Sequence, residues 1–319
     1  MPNVFEFLGL PKGHRPIGKV VQLVKHYDEV PDSRKSFPLI GQVKRDGVFA
    51  MQVSYQGRHA IFGRTGLQLT NVSHVIRDHL PDGVYIAELT CNLMSLEQLS
   101  GCVNPNRVEP MSEDMACKSR NFQMEYHDFI TIRGFVDGMW GEPYTARRRG
   151  LIDRLGGEFG VLDYTVLLCD DQLQAFADKF IAAGEEGVVF KQDTGWEAGH
   201  KGWRSMKIVR GVSYDLECIG YEEGTGKYAG KVANLLLRWK GGKTIKAMLG
   251  KGWTHADAER MFRAITSPIA PTTNDQGFRE WMLPVGKIFK VTALQESSKG
   301  VLRLPKVREQ RHDKVKPDF

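Results

Sequence analysis

The run Gln42-Val43-Lys44-Arg45-Asp46-Gly47 constrains this chain more than any other stretch. It follows an apolar entry, Phe37-Pro38-Leu39-Ile40, and precedes an alternating run through Val48, Ala50, Gln52 and Ser54. The pattern predicts two strands with a lysine at their start. On an extended backbone the Asp46 carboxylate, two residues on, points to the same face as Lys44. A lysine amine attacks only when neutral, and its reference pKa is about 10.4. Nearby cations and partial desolvation lower that value. If the target is a nucleotide α-phosphate, the site also needs cations for the phosphate oxygens and a metal held by carboxylate.

The chain supplies such partners in order. Tyr85-Ile86-Ala87-Glu88-Leu89 carries one acid in an apolar run, and Phe62-Gly63-Arg64-Thr65-Gly66 precedes it. Glu185-Glu186-Gly187-Val188-Val189-Phe190-Lys191 places acid and lysine at the two ends of a short β-branched strand. Trp203-Arg204-Ser205-Met206-Lys207-Ile208-Val209 sets Lys207 inside another strand-like run, and Arg311-His312-Asp313-Lys314 comes near the C-terminus. This ordered set resembles the nucleotidyltransferase motifs of ATP-dependent DNA ligases, a group that includes RNA ligases and messenger-RNA capping enzymes. Lys-x-Asp-Gly is similar to the adenylation motif, Glu-Gly-Val-Val-Phe-Lys to the fourth motif, and Arg-x-Asp-Lys to the C-terminal segment of DNA ligases. The resemblance runs from Lys44 to Lys314, almost the whole chain.

Composition agrees with this reading. Of 319 residues, 41% are hydrophobic and 26% charged, as in soluble globular proteins, and the length accommodates two domains. No apolar run approaches the roughly 20 residues that span a bilayer. The N-terminus lacks a basic region followed by an apolar core, so no secretory signal and a cytoplasmic location are expected, in a bacterium or in the host of a phage. Cysteines 91, 102, 117, 169 and 218 are odd in number with no Cys-x-x-Cys spacing, which predicts free thiols. The same spacing argues against the zinc module of NAD-dependent ligases. Residues 212–319 hold 19 Lys plus Arg against 12 Asp plus Glu, so the excess positive charge of the chain lies there, as suits a phosphate backbone.

The predicted fold is α+β in two domains. Residues 1–211 are expected to form a nucleotidyltransferase (adenylation) domain with antiparallel sheets, helices near Thr145–Leu155 and Asp170–Ala183, and one helix near Lys19–Tyr27. Residues 212–319 have strands at Gly211–Ile219, Val232–Trp239 and Thr244–Leu249, glycine-bearing turns, and a helix His255–Ala264 with Thr254 as its N-cap. Short strands with one helix suggest an OB-fold β-barrel. The stretch 1–36 is too short for the separate DNA-binding domain of large cellular ligases, so the likeness is to minimal ligases of the phage or viral kind.

The resemblance implies roles for particular residues. Lys44 would form the lysyl-AMP, and Asp46 would contact the nick 3′-hydroxyl or a metal. Glu186 would bind Mg²⁺, with Mn²⁺ as a possible substitute, while Glu185 is solvated. Gln42 and Val43 would border the adenine, Glu88 would hold the ribose hydroxyls, and Lys191 and Lys207 would contact the α-phosphate and help depress the Lys44 pKa. Arg64 would grip ribose or the 5′-phosphate. Arg311, Asp313 and Lys314 would meet the ATP pyrophosphate as the small domain closes; a solvated basic tail over 306–319 is the rival reading. The ring stacked on adenine falls at Tyr126-His127-Asp128-Phe129-Ile130, where alternation puts His127 and Phe129 on one face. Either His127 stacks, the preferred assignment, or Phe129 stacks and His127 is a core histidine.

Three positions depart from the family pattern. Gly63 replaces a serine, Ser205 replaces the first lysine of the fifth motif, and Phe49 stands where ligases carry an arginine. Arg45 or Arg58 would then substitute in holding the nick phosphate. The expected activity is sealing of nicked double-stranded DNA by a monomer, with ATP and Mg²⁺. An RNA ligase, a GTP-using capping enzyme and a non-catalytic OB-containing binder are the alternatives.

Overall fold

The computed structural model describes residues 3–266, 283–297 and 300–319. The chain divides into two compact units, Met1–Val209 and Arg210–Phe319. The first contains strands β1 (Leu23–His26), β2 (Leu39–Lys44), β3 (Val48–Tyr55), β4 (Arg58–Phe62), β5 (Gly83–Thr90), β6 (Gln123–Ile130), β7 (Met139–Trp140), β8 (Thr165–Leu167), β9 (Gly187–Lys191), β10 (Trp196–Glu197) and β11 (Lys201–Val209). They form a five-stranded sheet in the order β1-β11-β9-β2-β8, a four-stranded sheet in the order β4-β3-β5-β6, and the small pair β10-β7. All pairings are antiparallel except β1 with β11.

Both faces of the four-stranded sheet are covered, so its central strands β3 and β5 read as mostly apolar runs rather than clean alternation. Ala50, Tyr85, Ala87, Tyr126 and Phe129 belong to one core. Met51, Val53, Phe62, Val84 and Ile86 belong to another, with Phe5, Phe135 and Trp196. The five-stranded sheet is apolar on one face only. There Val188, Phe190 and Met206 pack with Leu173 and Ala177 of the helix Asp170–Ala182. Gly41 lets that helix approach, because a Cβ on it would stand 3.0 Å from the Phe176 ring.

The second unit contains β12 (Val212–Glu223), β13 (Val232–Arg238), β14 (Thr244–Leu249), β15 (Ile288–Ala293) and β16 (Lys306–Gln310), closed into a barrel in the order β12-β13-β14-β16-β15. The helix His255–Thr266 lies in the chain between β14 and β15, and β14 runs parallel to β16. This is the five-stranded OB barrel expected from the sequence. Leu216, Leu235, Leu237, Ala247, Phe289, Val291 and Val307 fill it. Thr254 caps the helix as predicted: its hydroxyl accepts from the Asp257 amide at 3.1 Å, and the Thr254 amide donates to Asp257 Oδ2 at 2.8 Å.

Two local expectations change. Lys19–Tyr27 is not a helix; a single 3₁₀ turn, Ile17–Lys19, leads into β1. The stretch is rich in β-branched Val20, Val21 and Val24, and the open edge of β11 gives it a ladder that a helix would forgo. Helices at Leu96–Val103 and Glu113–Ser119 lay outside the prediction, yet each starts at a serine cap, and Ser95 with Gln98 forms a full capping box. Among the described residues no helix is long and apolar enough to cross a membrane.

Candidate active site

Register places the polar face of the five-stranded sheet. Lys44 stands opposite Gly187 and Gln42 opposite Val189. On the next strand Val189 stands opposite Lys207, and Lys191 opposite Ser205. With a side-chain period of two, Gln42, Lys44, Lys191, Ser205 and Lys207 therefore share one face, away from the helix-covered core. They line a cavity of about 330 Å³. Phe49, Ile86, Glu88 and His127 of the other sheet border the same cavity, with Arg64 after β4.

The glycines of the two acid-bearing motifs have steric reasons. A Cβ on Gly47 would stand 2.5 Å from the Leu89 carbonyl oxygen and 2.6 Å from the Glu88 side chain, so only glycine lets the turn after Lys44 meet β5. Gly187 has φ +153°, and a Cβ there would stand 2.2 Å from the Ile208 carbonyl oxygen. That tight contact delivers the preceding Glu186 to the site, where Lys44 Nζ donates to Glu186 Oε2 at 2.6 Å. Lys44 is the last residue of β2, not the first of a strand, and Asp46 lies in the bend between β2 and β3. The expected sharing of a strand face by Lys44 and Asp46 is thus corrected: the chain turns between them.

Desolvation sets the charges. Burial raises the Glu88 carboxyl to about 7, against the pull of Lys44 and Arg64. Burial lowers Lys191 to about 7, with Asp128 opposing and Arg147 and Arg148 reinforcing the fall. Lys207 is lowered by burial and by the charges of Lys44 and Arg64. Beneath Lys191 lies a buried pair: Arg147 Nε and Nη2 donate to the two Asp128 oxygens at 2.8 and 2.9 Å. Burial alone would raise Asp128, but Arg147 holds it below the usual carboxylate range.

His127 occupies a β-bulge. Ala87 pairs with Tyr126 and Ile86 with Asp128, leaving His127 without a partner on β5. The bulge breaks the alternation, so His127 and Phe129 do not share a face. His127 lines the cavity, whereas Phe129 is 1% exposed and packs on Tyr85 at 5.2 Å between ring centroids. Phe129 is thereby corrected to a core residue. Tyr144 Oη and Lys191 Nζ donate to the His127 carbonyl at 3.0 and 3.2 Å, which pins the bulge. Burial and the charge of Lys191 lower the imidazole to about 3, so it is neutral at physiological pH.

Other predicted residues are held elsewhere or differently. Arg45 borders the cavity, but Glu125 (2.8 Å) and Glu185 neutralise it, so Glu185 is an ion-pair partner and not simply solvated. Arg58 donates to the Phe7 carbonyl at 2.8 Å and stacks on the Phe7 ring; it does not line the cavity. Arg64 lies over the Phe49 ring at 5.7 Å. Val43 is at the cavity wall. Arg311 and Lys314 are in the second unit, where both reach Asp215, so the segment after β16 is docked and not a solvated tail. Sequence reasoning missed Tyr144, Asp128 with Arg147, and the wall formed by Gln22, Leu23 and Val24. Arg147 opens a run of three arginines yet is 3% exposed, because it meets a buried acid on another element.

Comparison with known proteins follows the same lines. Residues 223–311 match the family model of the DNA ligase OB-like domain. A probable DNA ligase of Anaeromyxobacter sp. (strain K) is 30% identical over 164 residues, which is 46% of this chain and 30% of that protein. The matched part thus spans less than a third of the relative's length. A solved structure of the Lig E DNA ligases, described as binding DNA with a minimal scaffold, superposes with a TM-score of 0.65 at 14% identity, covering 91% of this chain and 98% of that one. The ATP-dependent DNA ligase of bacteriophage T7, in complex with ATP, gives a TM-score of 0.51 at 15% identity over 90% of this chain and 97% of that one. Residues 223–311 are therefore similar to the DNA ligase OB-like domain, and the fold is similar to that of the Lig E and bacteriophage T7 DNA ligases.

Proposed function

We propose that this protein is an ATP-dependent DNA ligase that seals 5′-phosphate/3′-hydroxyl nicks in duplex DNA, acting as a monomer in the cytoplasm. The observation that carries the reading is the amine of Lys44, 2.6 Å from Glu186, in a cavity that also presents Glu88, Lys191 and Lys207. Lys44 Nζ attacks the α-phosphorus of ATP, forming a P–N bond and releasing pyrophosphate. The 5′-phosphate of the nick then displaces the lysine to give a DNA-adenylate, and the 3′-hydroxyl displaces AMP. Positioning and charge neutralisation supply most of the acceleration in such phosphoryl transfers.

Lys191 and Lys207 meet the α-phosphate, and Glu88 binds the ribose hydroxyls. His127, pinned on its bulge, offers a neutral ring to the base. Gln42 Nε2 donates to the Leu162 and Asp163 carbonyls at 3.3 and 3.5 Å, which leaves the amide oxygen as an acceptor. An acceptor there suits the 6-amino group of adenine and not the 6-oxo group of guanine, favouring ATP over GTP. Arg64 takes the place of the absent arginine at Phe49 in holding the nick 5′-phosphate, since Arg45 is neutralised by its acids. Arg311 and Lys314 serve the pyrophosphate.

Glu186 and Asp46 offer hard oxygen donors beside Lys44, and no group of three or more potential ligands gathers among the described residues. That donor set fits Mg²⁺, or Mn²⁺ in its place, which binds through one or two carboxylates plus substrate phosphates. When bound it would neutralise charge on the phosphate oxygens.

The test combines nucleotide labelling with nick sealing, for the wild type and Lys44→Ala. Labelling by ATP and not GTP, with sealing of a DNA nick, both lost in the variant, is the expected result. Labelling by GTP, sealing of RNA ends only, or no labelling of the folded wild type would refute the proposal.

A further inference from the structure

Asp215 lies on β12 next to Leu216, whose side chain is in the barrel core, so Asp215 belongs to the outer face. Yet it is only 7% exposed, because the chain after β16 covers it. Asp215 and Asp318 exchange two bonds: the Asp318 amide donates to the Asp215 carbonyl, and the Asp215 amide donates to Asp318 Oδ2, each at 2.8 Å. The Phe319 ring packs on Tyr214 and Trp239 at 5.5 and 5.1 Å. Under this cover the Asp215 carboxylate receives Arg311 Nη1 at 3.0 and 2.9 Å and lies 3.2 Å from Lys314 Nζ. The other edge of the Arg311 guanidinium, Nε and Nη2, forks onto Asp313 at 2.9 and 2.7 Å.

The two acids differ in what they do to Arg311. The Asp313 side chain is 67% exposed and moves with its neighbour two residues away, so it fixes little. Asp215 comes from a barrel strand 96 residues earlier and is buried. Both Asp215 oxygens take the single Arg311 nitrogen Nη1, so a buried acceptor on a barrel strand fixes where that end of the guanidinium sits. Lys314 has three hydrogens to give and is 41% exposed, so Asp215 anchors it while leaving donors toward solvent.

We propose that Asp215 is a positioning residue for the first nucleotidyl transfer: it orients Arg311 and Lys314 together so that both meet the departing pyrophosphate. This rests on the assignment of those two cations to ATP. Asp215 touches neither nucleotide nor DNA, and it has no part in sealing once the nick is adenylated.

The test resolves the steps in the full chain, following labelled AMP transfer from ATP to the protein and, separately, sealing of a pre-adenylated nick. Asp215→Asn should raise the KM for ATP and slow labelling by about tenfold or more, the scale of a misplaced charged group, while sealing of the pre-adenylated nick is unchanged. Added to Arg311→Ala, Asp215→Asn should slow labelling clearly less than it does alone, because part of its effect runs through Arg311 and only the part through Lys314 is left. Equal loss in both steps, or an additive double variant, would overturn the proposal and make Asp215 a purely structural anchor. Normal labelling by Asp215→Asn beside impaired Arg311→Ala would overturn it while leaving the pyrophosphate assignment standing. Normal labelling by Arg311→Ala would remove that assignment, and the proposal with it.

Discussion

The two units use the same antiparallel strand in opposite ways. In the barrel the inward positions are apolar, and the charges on the outside are matched: Arg238 with Glu217, Lys246 with Glu222, Lys240 with Glu296, and Arg311 with Asp215. In the first unit one face of the five-stranded sheet turns Lys44, Lys191 and Lys207 into a cavity between strands, and Glu88 meets them from the other sheet. Among the described residues Lys207 and Arg64 make no ion pair there. A charged group that is desolvated and incompletely neutralised costs stability, and such groups concentrate where a ligand completes them. The difference is that the first unit leaves cations incompletely neutralised in a cavity, whereas the barrel pairs those named on its surface.

That contrast can be broken most decisively at Lys44. Lys44→Ala should reduce adenylation and sealing by at least about a thousandfold, as expected for loss of a covalent nucleophile, with the melting temperature little changed; residual labelling near wild type would move the nucleophile elsewhere. A large structural effect is expected next, at the pair beneath the cavity. Asp128→Ala leaves Arg147 buried without its acid and should destabilise the first unit by about 3–5 kcal/mol, read by denaturant unfolding. A stability close to wild type would mean that the cavity floor does not depend on this pair.

The third test concerns pH. Glu88 has a folded pKa of about 7 against an ordinary 4.5, so it binds its proton more tightly in the folded state. Its contribution to stability is present below about 4.5 and is lost as pH rises toward about 7. Glu88→Gln should remove this slope, leaving the variant more stable than wild type above pH 7 by on the order of 2 kcal/mol, although poorer at binding ATP. Parallel stability–pH curves for the two proteins would show that Glu88 is not held in a desolvated state. The smallest effect belongs to the second unit: Thr254→Ala removes the cap of the helix His255–Thr266 and should cost about 1 kcal/mol, with sealing retained. A loss approaching that of Asp128→Ala would erase the contrast between a finely held cavity and a tolerant barrel.

Much of the site was legible because its signals are local. Lys44, Glu88, Lys191 and Lys207 each sit in a short motif where period-two alternation gives a definite face, and Glu186 directly precedes the strand that carries Lys191. The barrel was legible for a similar reason, through short strands, glycine turns and a capped helix. The choice between His127 and Phe129 was not, because a bulge depends on the register between β5 and β6, and a one-residue insertion reverses every face beyond it. Arg45 and Arg58 read as free cations, since their partners Glu125 and Phe7 lie far away in the chain.

The amino-acid order by itself determined the strands that carry the reactive groups, the glycines at the two turns beside them, and the division into a catalytic-looking part and a basic barrel. Those follow from side-chain period, steric limits on the backbone and net charge, all of which act within a few residues. Tertiary structure alone decided that Leu23–His26 pairs as a strand, that His127 and not Phe129 faces the cavity, that Arg147 is buried, and that Asp215 gathers Arg311 and Lys314. Each of these depends on a partner remote in sequence, and the low dielectric between packed elements gives that partner its weight.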